Sequence, residues 1–177
     1  MGLHFVVVRP DGVAEETGGA APEVLAMRNA QLKARAVAGR HRDALVIGAD
    51  TVVVLHTVLF GKPGNLDDAV RMLQRLAGRQ HEVITGVCLI HRLRETEISF
   101  FERTRVRMRP LNAQQIRDYL HKLNSTESGL DFAGAYAIQQ HGDMIIEGIE
   151  GSYSNVVGLP VERLRATLEK LGGTARS

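Results

Sequence analysis

Asp50 stands inside the run Leu45-Val46-Ile47-Gly48-Ala49-Asp50-Thr51-Val52-Val53-Val54-Leu55, which is apolar and β-branched apart from Gly48, Asp50 and Thr51. A carboxylate in that setting must be paired, hydrogen-bonded, metal-bound or protonated, because a bare buried charge is strongly unfavourable. Spacing alone leaves two readings open. Asp50 closes a turn through Thr51, or it faces a cleft at a strand end, where open α/β sheets hold their ligands. Lys62 lies in Gly61-Lys62-Pro63-Gly64, a turn that holds the backbone and leaves the ammonium free to reach a phosphate; a solvated turn lysine is the plainer alternative. Arg79 and His81 flank the start of another apolar run and either join the same rim or are ordinary loop residues. Two stretches rich in small residues, Ala133 to Gln139 and Gly151 to Pro160, permit close backbone approach to a ligand, with the amides of Gln139 and Asn155 free to read a base edge or to hold a loop.

Other chemistries are disfavoured. The seven histidines show no HxxxH or HExxH spacing, which speaks against zinc, and no Walker A, GxSxG or GxGxxG sequence occurs. Cys88, the one cysteine, sits in Val87-Cys88-Leu89-Ile90 and reads as a small buried hydrophobe. Net charge is +2 with arginine dispersed, so no nucleic-acid face is signalled and any anionic partner is small. No apolar run reaches the roughly 20 residues of a membrane span, and the first residues lack the pattern of a secretory signal, so a cytoplasmic protein without membrane partners is expected.

The elements that must position these residues follow from periodicity and punctuation. Length and composition predict one domain over residues 1–173, two intimately packed lobes at most, with a disordered tail at 174–177. A strand is expected at Phe5–Val8, a loop from Asp11 to Pro22 and a helix from Glu23 to Ala38, with Pro22 before it and Gly39 after it. Leu45–Leu55 reads as a strand buried on both faces. Asn65 caps a helix that buries Ala69, Met72, Leu73 and Leu76 and ends at Gly78. Glu82–His91 and Ile98–Met108 read as a hairpin, the second strand with one wet face. Asn112 and Gln115 have capping-box spacing for a helix over Ala113–Lys122. A polar loop Asn124–Asp131, a strand Met144–Ile149, a second polar loop Gly151–Gly158 and a helix opened by Pro160 complete the chain. Alternating helices and strands predict an α/β layered fold with a mixed, twisted sheet.

In order, Lys33-Ala34, Gly48-Ala49-Asp50-Thr51-Val52-Val53, Gly61-Lys62-Pro63, Asp68-Ala69, Met72-Leu73, Leu76, Gly78-Arg79, His81-Glu82-Val83, Thr85-Gly86-Val87, Gly134-Ala135-Tyr136, Ile138-Gln139 and Asn155 to Pro160 match the Maf (septum-formation) family of nucleotide pyrophosphatases. The chain resembles that family over nearly its whole length. The resemblance implies a fold related to inosine-triphosphate pyrophosphatases and a cytoplasmic enzyme, commonly dimeric. It would cleave a nucleoside triphosphate between the α and β phosphates with Mg²⁺ or Mn²⁺. It implies Asp50 as general base, Asp50 and Glu16 near the metal, Lys33 and Lys62 on phosphate oxygens, and Thr51 and Gln139 at positions associated with base selection. Ala49-Asp50-Thr51, His81 and Tyr136 to Gln139 resemble the branch acting on dTTP and UTP more than the branch acting on 7-methyl-GTP, which tends to carry Gln after the Asp. A nucleotide-binding regulator of cell division is one competing reading, and a house-cleaning enzyme for modified pyrimidine nucleotides, which differs from the dTTP and UTP enzyme only in substrate, is another.

Two departures accompany the resemblance. Family members open with a strand and a Ser-x-Ser-Pro-Arg-Arg loop leading into a helix, whereas Met1 to Phe5 corresponds to the end of that helix; a start assigned too far downstream is the expectation. Phe132 stands where the family usually carries Lys.

Overall fold

The fold is that of a computed structural model describing residues 4–124 and 129–173. Expectations about residues 1–3, the tail 174–177 and the middle of the Asn124–Asp131 loop therefore lie outside the described residues. Five strands, β1 (Val46–Leu55), β2 (Val58–Phe60), β3 (Gln80–His91), β4 (Thr96–Met108) and β5 (Ile146–Glu150), form one sheet in the order β2-β1-β3-β4-β5. Among the described residues six α-helices accompany it: α1 (Pro22–Ala38), α2 (Leu66–Leu76), α3 (Ala113–Asn124), α4 (Gly142–Ile145), α5 (Tyr153–Val157) and α6 (Val161–Gly173). The layered α/β architecture stands as read from the sequence, with one difference: every described strand pairing is antiparallel, so the sheet is not mixed.

Helix α1 lies against one face of β1 and β3. Its alanines 26, 30, 34 and 38 recur every fourth residue and are fully buried, giving a smooth stripe toward the sheet. The strands answer with glycine. A Cβ at Gly48 would lie 2.4 Å from the Ala30 carbonyl oxygen, and one at Gly86 would lie 2.3 Å from the Ala26 carbonyl carbon, so only glycine permits this approach. Residues two apart on a strand share a face. Asp50, two beyond Gly48 and directly opposite Gly86, is thereby turned toward α1.

The opposite face carries the main core. There Val53, Leu55 and Val83 pack with Leu73 and Leu76 of α2, Ile116, Tyr119, Leu120 and Leu123 of α3, and the segment Ala135–Ile138. Leu164 of α6 closes a smaller cluster over Val87, Leu89 and Phe100. Local signals act as anticipated. Asn65 Oδ1 accepts from the Asp68 amide at 2.9 Å, and Asn112 and Gln115 exchange reciprocal 2.9 Å hydrogen bonds at the start of α3.

Four expectations change. Phe5–Val8 forms no strand and is exposed, with Val6 at 87%, because β-branched composition makes a strand only where a neighbouring strand pairs with it. Strand β1 is buried on both faces only in its second half; Leu45 and Ile47 are exposed. The strand expected at Met144 begins at Ile146, after the single turn of α4. The loop Gly151–Gly158 contains the short helix α5, where Ser152 Oγ accepts from the Asn155 amide at 3.1 Å.

Candidate active site

Strand β2 pairs only with Val53–Leu55, so among the described residues the outer edge of β1 from Val46 to Val52 has no ladder partner. The candidate site wraps around that edge. On the α1 side, Lys33 Nζ lies 2.5 Å from Asp50 Oδ1, and Asn29 Nδ2 donates to Asp50 Oδ2 at 3.2 Å. Asn29 and Lys33 are one helical turn apart, which places both over the same carboxylate. Asp50 is 8% exposed, so these partners answer its need for compensation.

The irregular segment before α1 completes this side. Glu15 Oε1 lies 2.7 Å from Lys33 Nζ, so one ammonium bridges two carboxylates. Asn29 fastens the segment: its Oδ1 accepts from the Glu16 amide at 2.8 Å, and its Nδ2 donates to the Glu16 carbonyl at 3.0 Å as well as to Asp50. Burial pulls the Lys33 pKa down, but the hydrogen bonds to Asp50 and Glu15 outweigh it and the net shift is upward. Lys33 is therefore a fixed cation at neutral pH.

A cavity of about 300 Å³ opens here. Lys33, Asp50, Thr51, Lys62 and Asp131 supply its polar lining, and Val53, Val83, Phe132, Tyr136, Val156 and Val157 supply much of the apolar part. Lys62 reaches it because its turn is held: Gly134 N donates to the Gly61 carbonyl at 3.0 Å, and Gly134, at φ 71°, packs against Val53. Thr51 lies opposite Thr85 of β3 with 2.9 Å between their hydroxyl oxygens, and Thr85 Oγ1 donates to the Asn155 carbonyl at 3.1 Å. Phe132, the residue that departs from the family pattern, is half-buried in this wall.

The structure thus brings Asp50, Lys33, Lys62 and Thr51 into one cavity. It does not bring Gln139 or Glu16 to the lining. Gln139 is exposed in the turn before α4, and Glu16 points its carboxylate to Arg28 at 3.5 Å. Arg79 is exposed, while His81 lies under the wall instead of on its rim: it is 2% exposed and its Nε2 pairs with the Tyr136 hydroxyl at 2.8 Å. Burial holds the His81 imidazole down to about 4. Glu15, Asn29 and Asp131 were not singled out from the sequence, and Thr85 entered only within the motif Thr85-Gly86-Val87. Asn29 had a usable signal, a polar residue four before Lys33 on the alanine-rich helix; Glu15, beside Glu16, had none that separates the two.

Among the described residues no three His, Cys, Asp or Glu side chains stand together as a complete metal cage. The donor chemistry nevertheless fits a hard cation. Mg²⁺ is commonly held by one or two carboxylates together with substrate phosphate oxygens; Asp50 lines the cavity, and Glu15, outside the lining, shares the Lys33 ammonium with it.

This arrangement, two lysines and a compensated carboxylate around a small cavity, suits a phosphate-bearing ligand. Comparisons with known proteins point the same way. The chain is 41% identical over 174 residues to a Dictyoglomus thermophilum protein named dTTP/UTP pyrophosphatase, covering 97% of this chain and 88% of that one. Proteins of the same name from Nitratidesulfovibrio vulgaris and Myxococcus xanthus are 44% and 45% identical, with 97% and 96% of this chain and 80% and 83% of theirs covered. The family model described as Maf-like protein matches residues 1–171, and the chain belongs to the Maf-like protein family.

Proposed function

We propose that this protein is a nucleoside-triphosphate pyrophosphatase that hydrolyses dTTP and UTP to the monophosphate and pyrophosphate. The observation that carries the reading is the meeting of Asp50, Lys33 and Lys62 in one cavity beside Thr51. Membership of the Maf-like family and relatives named dTTP/UTP pyrophosphatase support it.

A carboxylate has about four lone-pair sites. Lys33 and Asn29 occupy two at Asp50 and hold the group in one orientation, leaving acceptor capacity for a water. Asp50 acts as general base, taking a proton from the water that attacks the α-phosphorus while the bond to the bridging oxygen breaks. Lys33 and Lys62 neutralise phosphate oxygens as charge develops on the leaving pyrophosphate, the main assistance a protein gives to phosphoryl-type transfer. A divalent cation, Mg²⁺ or Mn²⁺, bound by Asp50 with Glu15 or Glu16, would supply further charge neutralisation. Thr51 contacts the base; Gln139, the other position that the resemblance ties to base selection, lies outside the cavity lining. A cytoplasmic homodimer completes the proposal; no described helix is long and apolar enough to cross a membrane, and the dimer rests on the family resemblance.

The test is pyrophosphate release from dTTP, UTP and 7-methyl-GTP with Mg²⁺. Release from the two pyrimidine nucleotides, falling by about 10²–10⁴-fold in Asp50→Asn, is the expected result. Equal rates for wild type and variant would remove Asp50 as base. Tight nucleotide binding without turnover would favour the regulatory reading.

A further inference from the structure

The hydroxyl of Thr51 lines the cavity, and its hydrogen can be placed by counting. Thr85 is fully buried and directly opposite, and its Oγ1 donates to the carbonyl of Asn155, 3.1 Å away. A carbonyl has no hydrogen to give, so the single proton of Thr85 is committed there. The 2.9 Å contact between Thr51 and Thr85 must then be donated by Thr51. Both threonine protons run inward, and the Thr51 oxygen has only lone pairs left for a ligand.

The relay is held from its far end. Asn155 is fully buried, and its Nδ2 donates to the Val83 carbonyl at 3.1 Å and to Thr104 Oγ1 at 2.9 Å, which anchors α5 on β3 and β4. Its backbone carbonyl is thereby fixed over Thr85. Gly158, at φ 117°, closes α5 beside the cavity, and a Cβ there would lie 3.6 Å from Thr51 Oγ1. The absent side chain keeps that oxygen open.

We infer that Thr85 and Asn155 are positioning residues that make Thr51 an obligatory hydrogen-bond acceptor, and that this acceptor selects nucleotides whose base presents an N–H donor at the imide position. Uracil and thymine both carry that N3–H between two carbonyls; cytosine carries an unprotonated ring nitrogen there and would meet Thr51 lone pair to lone pair. The inference rests on the pyrophosphatase reading, with the base seated against Thr51 as proposed there, and adds a reason why uracil and thymine are accepted together.

The experiment compares kcat/KM for UTP, N3-methyl-UTP and CTP in wild type, Thr85→Val and Thr85→Ser. Wild type is expected to favour UTP over the other two by about tenfold or more. In Thr85→Val the Thr51 hydroxyl loses its acceptor and is free to donate outward, so the UTP-to-CTP ratio falls toward parity; Thr85→Ser restores the relay and the ratio. Each ratio is taken on one preparation, so a partly unfolded variant does not change it. Equal use of UTP and N3-methyl-UTP by wild type, or an unchanged ratio in Thr85→Val, overturns the inference and leaves the pyrophosphatase reading intact. If no nucleotide is cleaved, that reading fails, and the same ratios measured as equilibrium affinities decide the inference by the same criteria.

Discussion

Lys33 is the residue on which the chemistry and the stability of the site meet. Its ammonium lies between Asp50 and Glu15, and it is mostly buried. Removing one partner of a buried ion pair leaves the other uncompensated, so Lys33→Met is expected to lower stability by about 3 kcal/mol, read from urea or thermal unfolding. Asp50→Asn in the Lys33→Met background relieves the stranded carboxylate, so the double variant is less destabilised than the two single changes together predict. An unchanged unfolding midpoint in Lys33→Met would contradict the pairing. The raised Lys33 pKa means that its contribution is complete below the ordinary value of 10.5 and is lost only as pH rises through the higher folded value. The lysine side of the pair therefore stays charged through the neutral and mildly alkaline range. Asp50 and Lys62 were legible as isolated polar residues in apolar or turn settings. That Glu15 and not Glu16 meets Lys33 was not, because adjacent glutamates in an irregular segment have no periodicity to separate them.

At the level of elements, the decisive contact is α1 on β1 and β3. The alanine stripe and the two strand glycines set the distance at which Asn29 and Lys33 hang over Asp50. Gly86→Ala would drive a methyl group into the backbone of α1, 2.3 Å from the Ala26 carbonyl carbon. A loss of about 3 kcal/mol or more is expected, together with a fall in pyrophosphate release, because the helix must move away from the sheet that carries Asp50. Gly39→Ala is the control. Gly39 ends α1 with ordinary helical angles, and a Cβ there would meet only the Arg35 carbonyl oxygen at 3.9 Å, so that change is expected to stay within about 0.5 kcal/mol of wild type and to leave activity alone. Equal effects of the two substitutions would show that close helix packing is not what positions the site.

Across the whole molecule, His81 joins the sheet to the segment that walls the cavity, through its bond to Tyr136. Burial holds His81 near 4 against an ordinary 6.5, so the unfolded chain binds the extra proton first as pH falls. The corresponding stability is fully present above 6.5 and is lost progressively as pH falls toward 4, by about 3 kcal/mol in all. Unfolding midpoints across that window should therefore fall more steeply for wild type than for His81→Gln; parallel curves would contradict a buried neutral imidazole. The sequence alone determined most elements, because helix and strand periodicities, caps and turn residues act over a few neighbouring positions. Asn65, Asn112 and Gln115 work where they were expected to. Ordered motifs also made the family legible. Tertiary structure alone decided that Phe5–Val8 stays outside the sheet, that Gln139 stands apart from the cavity, and that the Thr51 proton points inward. Those outcomes depend on partners far along the chain, 34 residues from Thr51 to Thr85 and 70 from Thr85 to Asn155, and such contacts exist only once packing brings them together.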